Sequence, residues 1–122
     1  MTATYDALTD GVSEPPGIEH CLSLLKPHLE PGVEALPDDL DRHGAINRLV
    51  EYNVDRQVDV LRGSDDVPDG VDVVGAVYDF QDVYSADRGR VHVVNVDGET
   101  DVTALRSAYP GIEGRIDRLW EY

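Results

Sequence analysis

The stretch VDVVGAVYDF, residues 71–80, constrains this chain more than any other: Val73, Val74, Ala76, Val77, Tyr78 and Phe80 make a nearly unbroken apolar run. Such a run suits a strand covered on both faces. Only one other segment has strand texture. In GRVHVVNVDGE, residues 89–99, Val91 and Val93 alternate with His92 and Val94, and Asp97-Gly98 closes the segment. The loop QDVYSADR between them is short, so the two strands of region 72–98 are expected to pair as an antiparallel hairpin. A lone hairpin is marginal in water, and residues 1–62 offer no further strand. The sheet is therefore expected to be completed from outside, most simply by a second copy. This predicts a homodimer or higher oligomer formed through strand edges or apolar faces.

The remaining segments read as helices, which places the chain in the α/β class: helices, then a strand hairpin, then C-terminal helices. Its 122 residues suit one domain. Five of the seven prolines fall in residues 1–43, at Pro15, Pro16, Pro27, Pro31 and Pro37, and this limits helices there to short pieces. TATYDALTDG reads as the end of a helix stopped by Gly11. In IEHCLSLLKPHL the residues Ile18, Cys21, Leu22 and Leu25 recur at helical spacing, and the helix is expected to bend or end near Pro27, with a second stop at residues 30–32.

Residues 44–62 carry the longest periodic pattern. Ile46, Leu49, Val50, Val54, Val58 and Leu61 fall on one face, Arg48, Glu51, Asp55, Asp59 and Arg62 mostly on the other, and Gly63 is placed to end the helix. Asn53 and Gln57 border the stripe and are expected to bond neighbouring backbone or each other. Over 101–122 two helices are expected. One spans TDVTALRSAY with Asp101 or Thr100 as cap, and the other spans IEGRIDRLWEY with Ile112, Ile116, Leu119 and Trp120.

Charge narrows the partners. The chain has 25 acidic residues against 10 basic ones, of which Lys26 is the only lysine, for a net charge of −15. That surface repels nucleic acids and anionic membranes. The carboxylates are spread among valines and leucines rather than gathered in a tail, so they read as a salt-adapted surface, soluble where molar salt screens self-repulsion. No window reaches the length of apolar sequence a membrane helix needs, and the first residues have no signal-peptide pattern, so the expected location is cytoplasmic.

INRLVEYNVDRQVDVL, then VDVVGAVYDF, then GRVHVVNVDGE, resembles the carboxyl-terminal part of the β-class carbonic anhydrases, most closely those of haloarchaea. TATYDALTDG resembles the segment that follows the third parallel strand in that family. The resemblance implies the second half of an archaeal carbonic-anhydrase-like fold, truncated just beyond the metal site and completed by oligomerisation. In the family a zinc ion held by two cysteines and a histidine turns water into hydroxide that attacks carbon dioxide. Its Cys-x-Asp-x-Arg and His-x-x-Cys motifs do not occur in this sequence. No catalytic, cofactor-binding or metal-ligating residue carries over, and zinc would be expected only of an intact member. The implied role is a non-catalytic module that pairs with itself or with a full-length carbonic anhydrase. The alternative is carbonic anhydrase activity with zinc held by Cys21 and histidines between chains.

The residues themselves leave few other candidates. His20 and Cys21 are adjacent, so on a helix they point about 100° apart, whereas helical metal pairs are spaced three or four residues. His28 and His43 lie in proline-broken sequence. The expectation for Cys21 is a small buried apolar residue, because an acidic chain offers little of the electropositive setting that makes a thiol reactive. His92 is expected to be a partly buried or edge histidine of its strand. The acidic turns GVEALPDD and GSDDVPDG lack the ligand alternation of a calcium loop, and no glycine pattern forms a phosphate loop.

Overall fold

A computed structural model describes residues 1–84 and 88–122; the middle of the expected loop between the strands, residues 85–87, lies outside the described residues. The order is α1 (Thr2–Thr9), α2 (Pro16–Ala35), α3 (Arg42–Arg62), β1 (Val74–Asp79), β2 (Arg90–Val96), α4 (Val102–Ala108) and a 3-10 segment, Pro110–Arg115. The chain divides into two compact units, Met1–Asn53 with Tyr122, and Val54–Glu121.

The first unit is helical. α1 ends before Gly11, whose φ of 65° only glycine adopts freely. α2 corrects the expectation of a short or broken helix, because it runs 20 residues straight through Pro27 and Pro31. Leu22, Leu29 and Gly32 are buried along one side, while both prolines are exposed. At 100° per residue the prolines lie opposite that buried side, so the carbonyls they leave without an amide partner face water, which satisfies them. Ile18 and Cys21, expected on the apolar face, are exposed.

α3 begins two residues earlier than its apolar pattern, after Asp41, whose Oδ1 accepts the Gly44 N–H at 2.7 Å. In the first unit it buries Ala45, Ile46, Leu49 and Tyr52. Gly32 allows the close approach of Tyr52: a Cβ there would sit 2.6 Å from Cδ1 of the ring. Tyr52 in turn packs on Tyr122 with centroids 5.1 Å apart.

The second unit is built on the hairpin. β1 and β2 pair antiparallel, with Val77 opposite His92 and Tyr78 opposite Val91, and a bulge falls between Gly75 and Ala76. The turn Asp97-Gly98 has both residues at positive φ, as the DG signal predicts. One face of the sheet, through Gly75, meets the second half of α3, where a Cβ would lie 2.5 Å from Val54 Cγ1 and 3.0 Å from Val58 Cγ2. On the opposite face Val96 forms a core with Leu105 and Ile116, with Val93 and Val102 packed against it.

Two expectations fail here. β1 is not covered on both faces, since Val74, Tyr78 and Phe80 are exposed. The second C-terminal helix is absent among the described residues. After the 3-10 turn the chain is extended, with Ile116 bridging Val93 in parallel. Pro110, Gly111 and Gly114 disfavour an α-helix there, and extended backbone lets Ile116 pair along β2. The preceding helix α4 does form, with Asp101 Oδ1 accepting the Ala104 N–H at 2.6 Å.

Candidate functional site

The histidines and the cysteine considered from sequence do not converge. His20, Cys21, His28 and His43 are all exposed. Cys21 and His28 are seven residues apart on α2, a rise of about 10 Å, and His20 is a residue further still. Among the described residues, no group of three or more histidines, cysteines and carboxylates could hold a metal ion. Cys21 is thus not the buried residue its sequence suggests; it stands in solvent on α2.

His92 is 2% exposed, deeper than an edge position implies, and its ring stacks on Tyr84 with centroids 4.4 Å apart and planes 14° from parallel. Gln57 is exposed and Asn53 half-buried. The tie that they were expected to make is made instead by Asn95, a residue the strand pattern did not single out.

Asn95 belongs to a buried polar cluster in the second unit. Its Nδ2 donates to Asp55 Oδ1 at 2.7 Å, and its Oδ1 accepts the Gly98 N–H at 2.8 Å. Arg118 donates to both oxygens of Asp55, at 3.2 and 2.9 Å, and to the carbonyls of Val94 and Trp120. Each charged group here has several partners, which is what a buried ion pair needs to offset its desolvation. Such saturation suits architecture rather than chemistry, because no donor or acceptor of the pair is left aimed at a ligand. The sequence pattern places both Glu51 and Asp55 on the polar side of α3, yet both are buried, Glu51 completely; the burial of Asp55 follows from Arg118, which reaches it from 63 residues downstream.

A second buried carboxylate, Asp79, ends β1 and organises the following loop. Its Oδ1 accepts the N–H groups of Gln81 and Val83, and its Oδ2 accepts that of Tyr84 at 3.0 Å. Burial pushes this carboxyl up, but the backbone N–H groups of Tyr84, Val83, Gln81 and Asp82 together outweigh it and hold it below the usual carboxylate range. It too is saturated.

Both ring nitrogens of buried His92 lack a hydrogen-bond partner among the described residues, and the outside of the second unit carries an apolar surface. Val74, Tyr78, Phe80 and Val91 are each about half exposed or more, and the Tyr78 and Phe80 rings stack with centroids 6.4 Å apart. They share the face on which Val93 and Val96 are covered by α4 and the Ile116 segment, so the sheet face is roofed over that end of β2 and bare over β1 and Val91. Beside it runs the outer edge of β1, which has no strand partner among the described residues. No helix among the described residues is long and apolar enough to cross a membrane. Comparison of the chain with protein-family models, curated proteins and solved structures gives no match.

Proposed function

We propose that this chain is a β-carbonic-anhydrase-like module that works by assembly, pairing with its own copies or with a full-length carbonic anhydrase, and carries out no carbon dioxide hydration itself. The resemblance of its helix, apolar strand and returning strand to that family supports the first part. The observation that carries the rest is the bare strip on β1, where Val74, Tyr78 and Phe80 are exposed beside a strand edge that has no partner among the described residues. Apolar residues concentrated on one face next to such an edge mark an association surface more readily than a solvated one.

The sequence holds neither the Cys-x-Asp-x-Arg nor the His-x-x-Cys motif that would grip zinc in the family. The chemistry would then have to come from a partner. Light scattering and zinc analysis of protein purified without chelator, in multimolar KCl, test the reading. An oligomer with substoichiometric zinc is expected. One zinc per chain that disappears in Cys21→Ser, together with rapid bicarbonate production, would replace it with a carbonic anhydrase whose metal site is assembled between chains.

A further inference from the structure

We propose that β1 is the seam of self-association: two copies pair their β1 strands antiparallel across a two-fold axis at Ala76, merging two hairpins into one four-stranded sheet. This rests on the reading of the chain as an oligomerising module, and names its surface and geometry.

The two edges of the hairpin are not equivalent. The outer edge of β2 is occupied, because Val93 bridges Ile116 and its carbonyl accepts the Asp117 N–H. β1 pairs only with β2 among the described residues. The direction of its backbone groups can be read from its ends. The carbonyl of Asp79 accepts the Gly89 N–H at 2.6 Å, and that of Val73 accepts the Asp97 N–H at 2.8 Å. Odd-numbered residues therefore turn their groups toward β2, and the two-residue repeat turns those of Val74, Ala76 and Tyr78 outward.

An axis at Ala76 sets Ala76 against Ala76 of the second copy, and Val74 against Tyr78 of the second copy. All these are residues with outward N–H and C=O groups, so each becomes a hydrogen-bonded pair. The side chains fit the same symmetry. The smallest lies on the axis, and a tyrosine crosses to a valine on either side of it, a pairing of aromatic with β-branched residues that stabilises antiparallel sheets. A self-complementary patch of this kind is what a two-fold interface requires.

Charge decides between a second copy and a basic partner. The only carboxylate within β1, Asp79, is buried and occupied by backbone N–H groups. A second copy thus meets no carboxylate of the strand along the seam, although each chain carries a net charge of −15. The repulsion that remains is long-range and is screened as the Debye length falls from about 10 Å at 0.1 M salt to about 3 Å at 1 M. Pairing through this strip strengthens with salt, whereas a partner held by opposite charge would be released. The exposed apolar side chains supply on the order of 400 Å² per copy, below the roughly 800 Å² per partner of a standard interface. The dimer is therefore concentration-dependent.

Sedimentation equilibrium in low and multimolar KCl, combined with two substitutions, tests the seam. Ala76→Pro removes an outward N–H that the hairpin does not use, so circular dichroism should be retained while dimerisation weakens about tenfold or more. Ala76→Cys in a Cys21→Ser background should form a disulfide-linked dimer under diamide, since directly opposed residues lie about 5.5 Å apart, within disulfide reach. Val60→Cys on exposed α3 surface should not. A monomer at every salt concentration overturns the seam and the oligomerising module together. A dimer that ignores Ala76→Pro and gives no Ala76→Cys disulfide overturns the seam alone and leaves the module standing.

Discussion

Each of the two units contains an arginine that grips an aspartate far away in sequence, and the two pairs differ in almost everything except their chemistry. In the first unit Arg42 donates to both oxygens of Asp6, the closest contact being 2.7 Å, with the arginine side chain 57% exposed. In the second, Arg118 donates to both oxygens of Asp55 with the two side chains 3% and 5% exposed. The first pair is open to solvent and the second is almost wholly buried. Bond length alone therefore says little about what a pair contributes; its surroundings decide whether breaking it exposes a charge to solvent or strands one in the interior.

The largest expected effect breaks that contrast from its buried side. Arg118→Met takes away the arginine that donates to both oxygens of buried Asp55, and should destabilise the second unit by about 3–5 kcal/mol in chemical denaturation. The double variant Asp55→Leu/Arg118→Met removes both charges and should recover most of that loss. If the single and double variants are equally unstable, the pair is a consequence of the packing rather than one of its determinants.

Next come the two glycines at close approaches, one in each unit. Gly75→Ala drives a methyl group into Val54 and Val58, and Gly32→Ala drives one into the Tyr52 ring. Each should cost about 1–3 kcal/mol as overpacking. Amide hydrogen exchange sharpens the comparison, because each substitution should lower protection in its own unit. Loss of protection throughout the chain from either one would mean that the units unfold as one cooperative body.

These positions also show what the sequence could reveal. The hairpin, the long helix and the Asp97-Gly98 turn were legible because their signals are local: alternation, 3.6-residue periodicity and a residue pair that tolerates positive φ. The continuity of α2 was not, since Pro27 and Pro31 read as breakers until it is known that they face solvent. Nor was the extended stretch at Ile116, whose apolar spacing with Ile112, Leu119 and Trp120 mimics a helix while its pairing with Val93 is tertiary. Among candidate site residues, Cys21 and the exposed histidines were visible and are not gathered together. Asp55, Asn95 and Arg118 were invisible as a cluster because 40 and 63 residues separate the members from Asp55. The bare strip on β1 was half legible: the apolar run announced a need for cover, but only the fold shows which face lacks it.

An effect of similar size should appear at Asp79, whose buried carboxylate organises the loop after β1 in the second unit. Its folded pKa lies below the unfolded value of about 3.9. Its contribution is therefore fully present above that unfolded value and is lost as pH falls through the lower folded one. Asp79→Asn places an amide N–H₂ where a backbone N–H already donates, at a cost of about 1–3 kcal/mol near neutral pH. The variant should show a shallower acid limb than the parent in a pH series of thermal midpoints. Parallel acid limbs would remove Asp79 from the account.

The smallest effect belongs to the exposed pair. Arg42 is the first residue of α3, where a positive charge opposes the helix dipole, so the Asp6 carboxylate must compensate locally for an arginine that is poorly placed by itself. Its guanidinium is held above its ordinary range chiefly by the hydrogen bond to Asp6 and then by that residue's charge, with Asp10 and Tyr5 adding to it. Replacing Arg42 by alanine removes an attraction and an unfavourable dipole contact together, and solvent already screens both. The thermal midpoint of Arg42→Ala should fall slightly at low salt and coincide with that of the parent in multimolar KCl, while the midpoint of Arg118→Met stays depressed at every salt concentration. Should salt rescue the buried variant as fully as the exposed one, burial would not be what separates the two pairs, and water would have to reach Asp55.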